Sequence, residues 1–357
     1  ETVIAVAGSH LIWSLKRQLY NSRALGRYKL KKRIGAGGMG EIWLAHHHAL
    51  RRDVAVKILK PENACDKRAI GRFEREVRAT SELVHPNTVR VFDYGVTTDG
   101  LWYYAMELLD GHDLHDEVTK NGVMAPGRAA TLIAQAARAL SEAHSRGIIH
   151  RDIKPENIFL TSLPGEGQLV KVLDFGLAKV MVGHAGKSDH SLTQAGWAVG
   201  TPQWVSPEVV FGEPADGRSD IYGLGAVLYF LLCAQSPFGQ REMGKVVQAH
   251  TKLTPARPSK RLGKPVHLGL EDIVMRCLAK DPADRYQDVR SLAVELEACA
   301  AMLDPDAYQA KVRQAAQLNT GIDRSHSPEL ARPQQVAWTE RVETGDPTIR
   351  EMRTKVI

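Results

Sequence analysis

The chain has 357 residues, of which 43% are hydrophobic and 25% charged, and its formal net charge is +6. This composition is typical of a globular protein with a sizeable core, and it excludes a chain that is disordered throughout. Four widely spaced cysteines without a C-x-x-C pair predict neither a disulfide framework nor a zinc site, so a reducing compartment fits best.

The beginning of the chain combines an uncharged stretch with a basic run. Val3–Leu15 is mostly apolar and contains Trp13, whereas Lys16–Arg33 holds eight lysines and arginines and no acidic residue. The uncharged stretch is shorter than the roughly 20 residues that span a bilayer. It matches the cytoplasmic end of a transmembrane helix, and a helix packed on a soluble domain explains it about equally well. We expect a juxtamembrane or N-terminal helical segment over residues 1–26, without a signal peptide.

A glycine-rich pattern follows. Ile34–Ile42 contains G-x-G-x-x-G, in which the missing side chains allow backbone N–H groups to approach phosphate oxygens. The alternation in Glu41–Ala45 predicts a strand, not the helix of a Rossmann turn, and no G-K-[ST] follows as it would in a Walker loop. A flexible hairpin without a ligand is the alternative for this segment alone.

The next two elements offer a lysine and a carboxylate. Strand alternation in Asp53–Leu59 places Ala55 and Lys57 on one face, although a snorkelling surface lysine has the same pattern. Glu76 then lies beside a helical apolar stripe, and a carboxylate at the edge of a buried face is costly unless it is paired. The stripe consists of Ile70, Phe73, Val77 and Val84.

Two further elements precede the polar segment that begins at His150. Tyr103–Gly111 predicts a strand followed by a turn, for which a plain core strand is an equally good explanation. Arg128–His144 has apolar residues at helical spacing, and Gly147 is a plausible stop signal. This helix would deliver the chain to His150.

The most informative segment lies directly after that helix. His150–Asn157 reads His-Arg-Asp-Ile-Lys-Pro-Glu-Asn, and Asp174-Phe175-Gly176 follows after two short hydrophobic stretches. Asp152 supplies a proton acceptor, and Asn157 and Asp174 supply hard oxygens of the kind that magnesium prefers. The pattern predicts phosphoryl transfer, whereas a capping role for Asp152 is the structural alternative.

Together, the glycine pattern, the His-Arg-Asp string and the Asp-Phe-Gly triplet resemble the eukaryotic-type protein kinase family, most closely its bacterial Ser/Thr members. The resemblance extends from about Arg27 to Cys299. It implies a bilobal α+β fold, with a small antiparallel-sheet N-lobe carrying one helix and the hinge over residues 27–110 and a mostly helical C-lobe over 111–300. The strand and turn of Tyr103–Gly111 would be the hinge between the lobes. We expect residues 301–357 to form a flexible tail with threonines open to autophosphorylation.

The resemblance implies that ATP binds between the lobes with Mg²⁺, or alternatively Mn²⁺. Asn157 and Asp174 would ligate the metal ion, Met106 would be the gatekeeper behind the adenine, and Glu107 and Leu109 would bind the base through their backbone groups. The full set of implied nucleotide contacts is Ile34, Gly35, Ala36, Gly37, Gly38, Met39, Gly40, Ile42, Ala55, Lys57, Met106, Glu107, Leu109 and Phe159.

It also implies the catalytic roles. Asp152 would orient and deprotonate the attacking hydroxyl, and Lys154 would neutralise charge on the transferred group. Lys57 would form an ion pair with Glu76. Two residues favour Ser/Thr specificity in this family. One is Lys154, two positions after Asp152, and the other is Thr201.

Regulatory and scaffold residues follow from the same resemblance. Arg151 offers a cation to a phosphate, so phosphorylation of Thr193 would order the activation segment. Glu208 is expected to pair with Arg285, and Asp220 to brace the catalytic-loop backbone. We interpret the histidines 46–48 as a solvated loop, because adjacent strand residues cannot converge on one metal ion.

Partners and rivals complete the interpretation. We expect Ser/Thr-containing protein substrates, self-association for trans-autophosphorylation, and a cytoplasmic kinase domain that the N-terminal segment brings to the inner face of the plasma membrane. Nucleic acid is not expected, because the basic residues lack interleaved aromatics. A pseudokinase scaffold, which binds nucleotide or partner proteins without catalysis, is the main rival, and a small-molecule phosphotransferase of related fold is the second.

Overall fold

The computed structural model describes residues 24–25, 27–37, 40–59, 67–97, 101–163, 167–175, 202–239 and 242–305. The strands are β1 (Ala24–Leu25), β2 (Tyr28–Gly37), β3 (Gly40–His47), β4 (Arg52–Leu59), β5 (Val91–Val96), β6 (Trp102–Met106), β7 (Gly111–Asp113), β8 (Ile158–Leu163) and β9 (Gly167–Val172). The α-helices are α1 (Lys67–Ser81), α2 (Leu114–Asn121), α3 (Pro126–Ser145), α4 (Pro207–Val210), α5 (Gly217–Cys233), α6 (Met243–Lys252), α7 (Pro258–Leu262), α8 (Leu268–Cys277) and α9 (Val289–Leu303). Short 3₁₀ turns cover Pro155–Asn157, Pro202–Trp204 and Pro282–Asp284.

Six strands form the sheet of the smaller lobe, in the order β1-β2-β3-β4-β6-β5 with antiparallel neighbours. Alternation along β4 sends Ala55 into one apolar cluster with Val77 of α1, and Val54 and Val56 into another cluster behind the sheet. The predicted face of Ala55 is therefore confirmed.

Helix α1 differs from the predicted stripe. Val77 is fully buried, but Val84 lies beyond the helix end at Ser81 and is 63% exposed. Because the chain leaves the helical path after Ser81, a spacing of seven residues no longer returns Val84 to the buried face. The prediction for Val84 was wrong, and the side chains of Ile70 and Phe73 lie outside the part of the chain that is described.

The larger lobe is built around one apolar helix. Every residue of α5 from Ser219 to Cys233 is buried, as expected for a helix that is packed on all sides. Its neighbours include α3, α8 and α9, whose buried residues share its core cluster. The predicted helix Arg128–His144 is confirmed as α3.

A three-stranded sheet, ordered β7-β8-β9, positions the site. Antiparallel pairing aligns Ile158 at the start of β8 with Val172 at the end of β9. Residues just before β8 and just after β9 must therefore be neighbours, and the amide of Leu173 donates to the carbonyl of Asn157 at 2.9 Å. The two motifs that flank this hairpin are joined for that reason.

The described parts confirm the predicted bilobal kinase fold, with an antiparallel sheet and one helix in the N-lobe and a mostly helical C-lobe. One local expectation was wrong. His46 and His47 belong to β3 rather than to a solvated loop, and His47 is 5% exposed, with its ring 5.0 Å from that of Tyr28.

Within the described residues, no helix is both long and apolar enough to cross a membrane. Of the predicted N-terminal helical segment, residues 1–26, only Ala24–Leu25 are described, and they form strand β1 rather than a helix. Of the predicted tail, residues 301–357, only 301–305 are described, and α9 extends into it as far as Leu303.

Candidate active site

Asp220, in the first turn of α5, holds the backbone of the catalytic loop, His150–Asn157. Its carboxylate accepts hydrogen bonds from the backbone amides of His150 and Arg151, each at 2.8 Å, and lies 2.8 Å from His144 Nε2. Arg151 has a left-handed backbone with φ of 63°, a conformation that persists only where the surroundings enforce it. The predicted bracing role of Asp220 is confirmed.

Asp152, Lys154 and Asn157 meet on this loop. Lys154 Nζ lies 2.9 Å from Asp152 Oδ2, and Asn157 Nδ2 donates to the backbone carbonyl of Asp152 at 2.7 Å and to Oδ2 at 3.1 Å. Burial lowers the pKa of Lys154, but the neighbouring Asp152 carboxylate outweighs it, so the pKa of Lys154 is raised. The ammonium therefore stays charged beside the carboxylate.

His150 joins the loop to the segment after β9. Its Nε2 lies 2.7 Å from the carbonyl of Leu173, and its Nδ1 accepts from the amide of Asp152 at 3.3 Å. These partners assign the proton to Nε2, and burial lowers the pKa of His150. The neutral ring also packs against Phe175, with 4.8 Å between ring centroids. His150 is therefore a structural residue.

Asp174 is held from the sheet side. Lys57 Nζ lies 2.6 Å from Oδ2, and the hydroxyl of Tyr104 donates to Oδ1. Burial raises the pKa of Asp174, but attraction and hydrogen bonding by Lys57, together with the Tyr104 hydrogen bond, outweigh it, so the pKa of Asp174 is lowered. The carboxylate is thus ionised.

The predicted ion pair between Lys57 and Glu76 is not formed. Lys57 pairs with Asp174, while Glu76 Oε1 lies 3.4 Å from Arg151 Nη1. Both carboxylates are partly exposed, Asp174 at 24% and Glu76 at 33%, and the ammonium lies with Asp174, whose other oxygen accepts from the Tyr104 hydroxyl. Glu76 instead reaches the guanidinium of Arg151.

The predicted adenine contacts converge on one apolar wall. Ala55 and Met106 belong to the same buried cluster, and Ile42 and Leu109 pack against it. Phe159 lies below the hinge, because a Cβ added to Gly111 would come within 3.1 Å of its ring. Four of the predicted contacts, Ala55, Met106, Ile42 and Leu109, are therefore brought together.

The glycine loop connects β2 to β3. Gly37 and Gly40 are cross-strand partners, and a Cβ on Gly40 would meet the carbonyl oxygen of Ile58 at 2.2 Å. Gly40 is therefore required by close backbone approach. Gly38 and Met39 lie outside the described residues, and Ile34 is 49% exposed on β2.

Glu107 braces the hinge with its side chain. Oε1 accepts from Lys171 Nζ at 2.7 Å and from the amide of Arg90 at 2.9 Å, and the Glu107 amide donates to the carbonyl of Arg90 at 2.9 Å. Oε1 of Glu107 is therefore engaged within the protein, and the expected contact of the Glu107 backbone with the base stays a prediction.

The donor set fits a divalent cation. Asp174 offers an ionised carboxylate, and Asn157 uses its Nδ2 toward Asp152, which leaves its amide oxygen as the ligating atom. Both are hard oxygen donors suited to Mg²⁺. Thr193 and Thr201 lie outside the described residues.

Tyr104 is the site residue that sequence reasoning missed. The only available signal was positional, because β4 and β6 pair with Tyr104 directly opposite Lys57. Residues opposite each other in adjacent strands lie on the same face. That pairing cannot be read without the register.

A carboxylate, an ammonium and two further hard oxygens thus lie together between the two lobes, which is the arrangement of groups found in protein kinases. The family profile described as protein kinase domain matches residues 28–295. The chain belongs to the protein kinase family.

Two relatives of the chain are bacterial proteins named as Ser/Thr protein kinases. The chain is 37% identical over 273 residues to the kinase pkn3 of Myxococcus xanthus, covering 76% of this chain and 50% of that protein. It is 41% identical over 273 residues to PknB of Mycolicibacterium smegmatis, covering 76% and 42%. The chain thus spans half or less of the length of these relatives.

A solved kinase domain confirms the fold. The crystal structure of the Mycobacterium tuberculosis PknI kinase domain superimposes with a TM-score of 0.61 and 28% identity, covering 78% of this chain and 98% of that one.

Proposed function

We propose that this chain is an ATP-dependent protein Ser/Thr kinase. The observation that carries the proposal is the placement of Asp152 with Lys154 and Asn157 on one braced loop, joined through Leu173 to Asp174 and Lys57. An intact set of these groups argues against a pseudokinase scaffold, and the names of the relatives support a protein kinase over a small-molecule phosphotransferase.

Each side chain has a separable task in this proposal. Asp152 accepts the proton of the attacking Ser or Thr hydroxyl, and Lys154, kept charged by Asp152, neutralises charge on the transferred phosphoryl group. The Lys57 ammonium binds the phosphates of ATP. Asn157 and Asp174 would hold Mg²⁺, which when bound neutralises the triphosphate and orients it.

Regulation by the activation segment is a finer part of the proposal. Arg151 is directed toward Glu76 at 3.4 Å, and a phosphate on Thr193 would present two negative charges and strong acceptor oxygens to the same guanidinium. Phosphorylation would therefore draw Arg151 away from α1 and toward the activation segment. Self-association for trans-autophosphorylation and contact with the membrane through the N-terminal segment belong to this proposal as well.

Mapping of autophosphorylation by mass spectrometry tests the proposal. The purified chain is incubated with ATP and MgCl₂ and compared with an Asp174→Asn variant prepared in parallel. We expect phosphate on serine and threonine only, including Thr193, and none in the variant. Phosphotyrosine would contradict the Ser/Thr assignment, and an unmodified wild-type chain would favour the pseudokinase. Phosphate elsewhere but not on Thr193 would remove the regulatory part alone.

A further inference from the structure

Tyr104 is a buried residue whose hydroxyl points at the proposed metal site. It lies in the middle of β6, is 2% exposed, and is the Cα partner of Lys57 in β4. Lys57 Nζ lies 5.9 Å from the centroid of its ring. The two side chains therefore rise from the same face of the sheet and meet at Asp174.

The two donors divide the Asp174 carboxylate between them. Lys57 binds Oδ2 at 2.6 Å, and Tyr104 donates to Oδ1. A carboxylate has about four acceptor positions on its two oxygens, so two donors fix its plane and still leave lone pairs for a cation. The hydrogen bond from Tyr104 thus orients the carboxylate without blocking it.

The two donors, Lys57 and Tyr104, differ in how easily they can move away from Asp174. Lys57 has a long, flexible side chain and, in the proposed function, serves the phosphates of ATP. Tyr104 sits between Lys57 on β4 and Tyr94 on β5, and its hydroxyl has Asp174 as its hydrogen-bond acceptor. When the ammonium is drawn toward nucleotide, Tyr104 therefore continues to hold Asp174.

We propose that Tyr104 is a positioning residue for Asp174: its hydroxyl keeps the carboxylate in the orientation that binds the divalent cation of a magnesium–nucleoside triphosphate complex. The inference rests on the proposed function. The alternative is a purely structural role, in which Tyr104 is a core residue whose hydroxyl needs only a buried hydrogen-bond acceptor. That alternative predicts a loss of stability but no change in how nucleotide binding depends on magnesium.

Removal of one oxygen atom distinguishes the positioning role of Tyr104 from a purely structural one. Tyr104→Phe keeps the ring and removes the hydroxyl. Affinity for a fluorescent, non-hydrolysable ATP analogue is measured in EDTA and across a series of MgCl₂ concentrations. We expect the affinity in EDTA to stay within about twofold of wild type and the gain in affinity on adding Mg²⁺ to fall by about tenfold, the effect of one hydrogen bond to a charged group.

Tyr103→Phe is the matched control. Tyr103 is the adjacent residue, is opposite Ile58, and packs behind the sheet with its ring 6.0 Å from Tyr28. It loses the same hydroxyl on the other face, so its affinities in EDTA and in MgCl₂ should both match wild type.

A Tyr104→Phe protein with the wild-type gain on adding Mg²⁺, or with a larger one, overturns the inference. If the wild type itself binds the analogue no more tightly with Mg²⁺, the proposed function fails instead, and the inference fails with it. Should Tyr104→Phe not fold, the double variant Asp174→Asn, Tyr104→Phe decides. Recovery of folding supports the link between Tyr104 and the carboxylate, and failure of both proteins assigns the hydroxyl to the core.

Discussion

The buried ion pair between Glu208 and Arg285 shows how single residues stabilise this fold. Arg285 donates to both Glu208 oxygens at 2.9 and 2.8 Å, and Ser219 Oγ adds a bond of 2.6 Å. The two side chains are 6% and 0% exposed. Burial raises the pKa of Glu208, but the hydrogen bonds from Arg285 and Ser219 outweigh it and lower the pKa to about 2. The predicted pair is therefore confirmed and is ionised.

Removal of this charge should be costly at neutral pH. Glu208→Gln leaves Arg285 buried without its counter-charge, which we expect to lower the free energy of unfolding by about 3–5 kcal/mol at pH 7. Because the folded pKa is depressed from 4.5 to about 2, the contribution of Glu208 is complete above pH 4.5 and is lost as the pH falls toward 2. The difference in the free energy of unfolding between wild type and Glu208→Gln should therefore be about 1 kcal/mol smaller at pH 4 than at pH 7.

Urea unfolding at the two pH values measures both effects. Glu297→Gln is the control, since its pair with Arg138 is 29% and 39% exposed and should contribute less than about 1 kcal/mol. Equal losses in the two variants at pH 7 would contradict the account, as would a Glu208→Gln gap that widens in acid.

Residue roles were predictable where the participants are close along the chain. Asp152, Lys154 and Asn157 lie within six positions, so their motif implied their meeting. The partner of Lys57 was not predictable, because Glu76 and Asp174 lie 19 and 117 positions away and only the folded chain shows which carboxylate the ammonium reaches. For the same reason, nothing in the strand pattern distinguished the hydroxyl of Tyr104 from that of Tyr103.

At the scale of elements, the contact between α5 and α8 depends on one glycine. A Cβ added to Gly225 of α5 would lie 2.3 Å from Cys277 Cβ of α8. These helices can be this close only because Gly225 has no side chain. Since α5 also carries Asp220, a shift of α5 would reach the backbone amides of the catalytic loop.

Gly225→Ala should therefore reduce both stability and activity. We expect a loss of about 1–3 kcal/mol from overpacking, read as a lower midpoint of thermal unfolding, together with a lower rate of phosphoryl transfer. Gly244→Ala in α6 is the matched control, because nothing lies within 4 Å of its added Cβ, and alanine favours the helix there. An unchanged unfolding midpoint for Gly225→Ala would show that α5 and α8 separate without cost.

Element boundaries followed the sequence where its periodicity was long and failed where the chain turned. Helix α3 was anticipated to within two residues at its start, because its apolar repeat is sustained from Leu132 to Ala143. The stripe assigned to α1 extended wrongly to Val84, since no residue between Ser81 and Val84 carried a clear stop signal. His47 was misassigned because a run of histidines has no apolar alternation to mark a strand.

At the scale of the whole molecule, the fold brings together three segments that are distant in sequence. Strand β4 brings Lys57, the loop before β8 brings Asp152 and Asn157, and the segment after β9 brings Asp174. The β8–β9 hairpin joins the last two, and the Lys57–Asp174 pair joins them to the N-lobe. Catalysis by this arrangement should fail when the proton acceptor is neutralised even though nucleotide still binds.

The most direct test is a comparison of wild type with Asp152→Asn in two assays. Asparagine has nearly the same shape as aspartate but cannot accept the hydroxyl proton, so we expect the rate of phosphoryl transfer to a Ser/Thr peptide to fall by about 10²–10⁴-fold. Nucleotide affinity in MgCl₂ should stay within about threefold, since Asp174 and Lys57 remain in place. An Asp152→Asn protein that transfers phosphate at the wild-type rate would contradict the account.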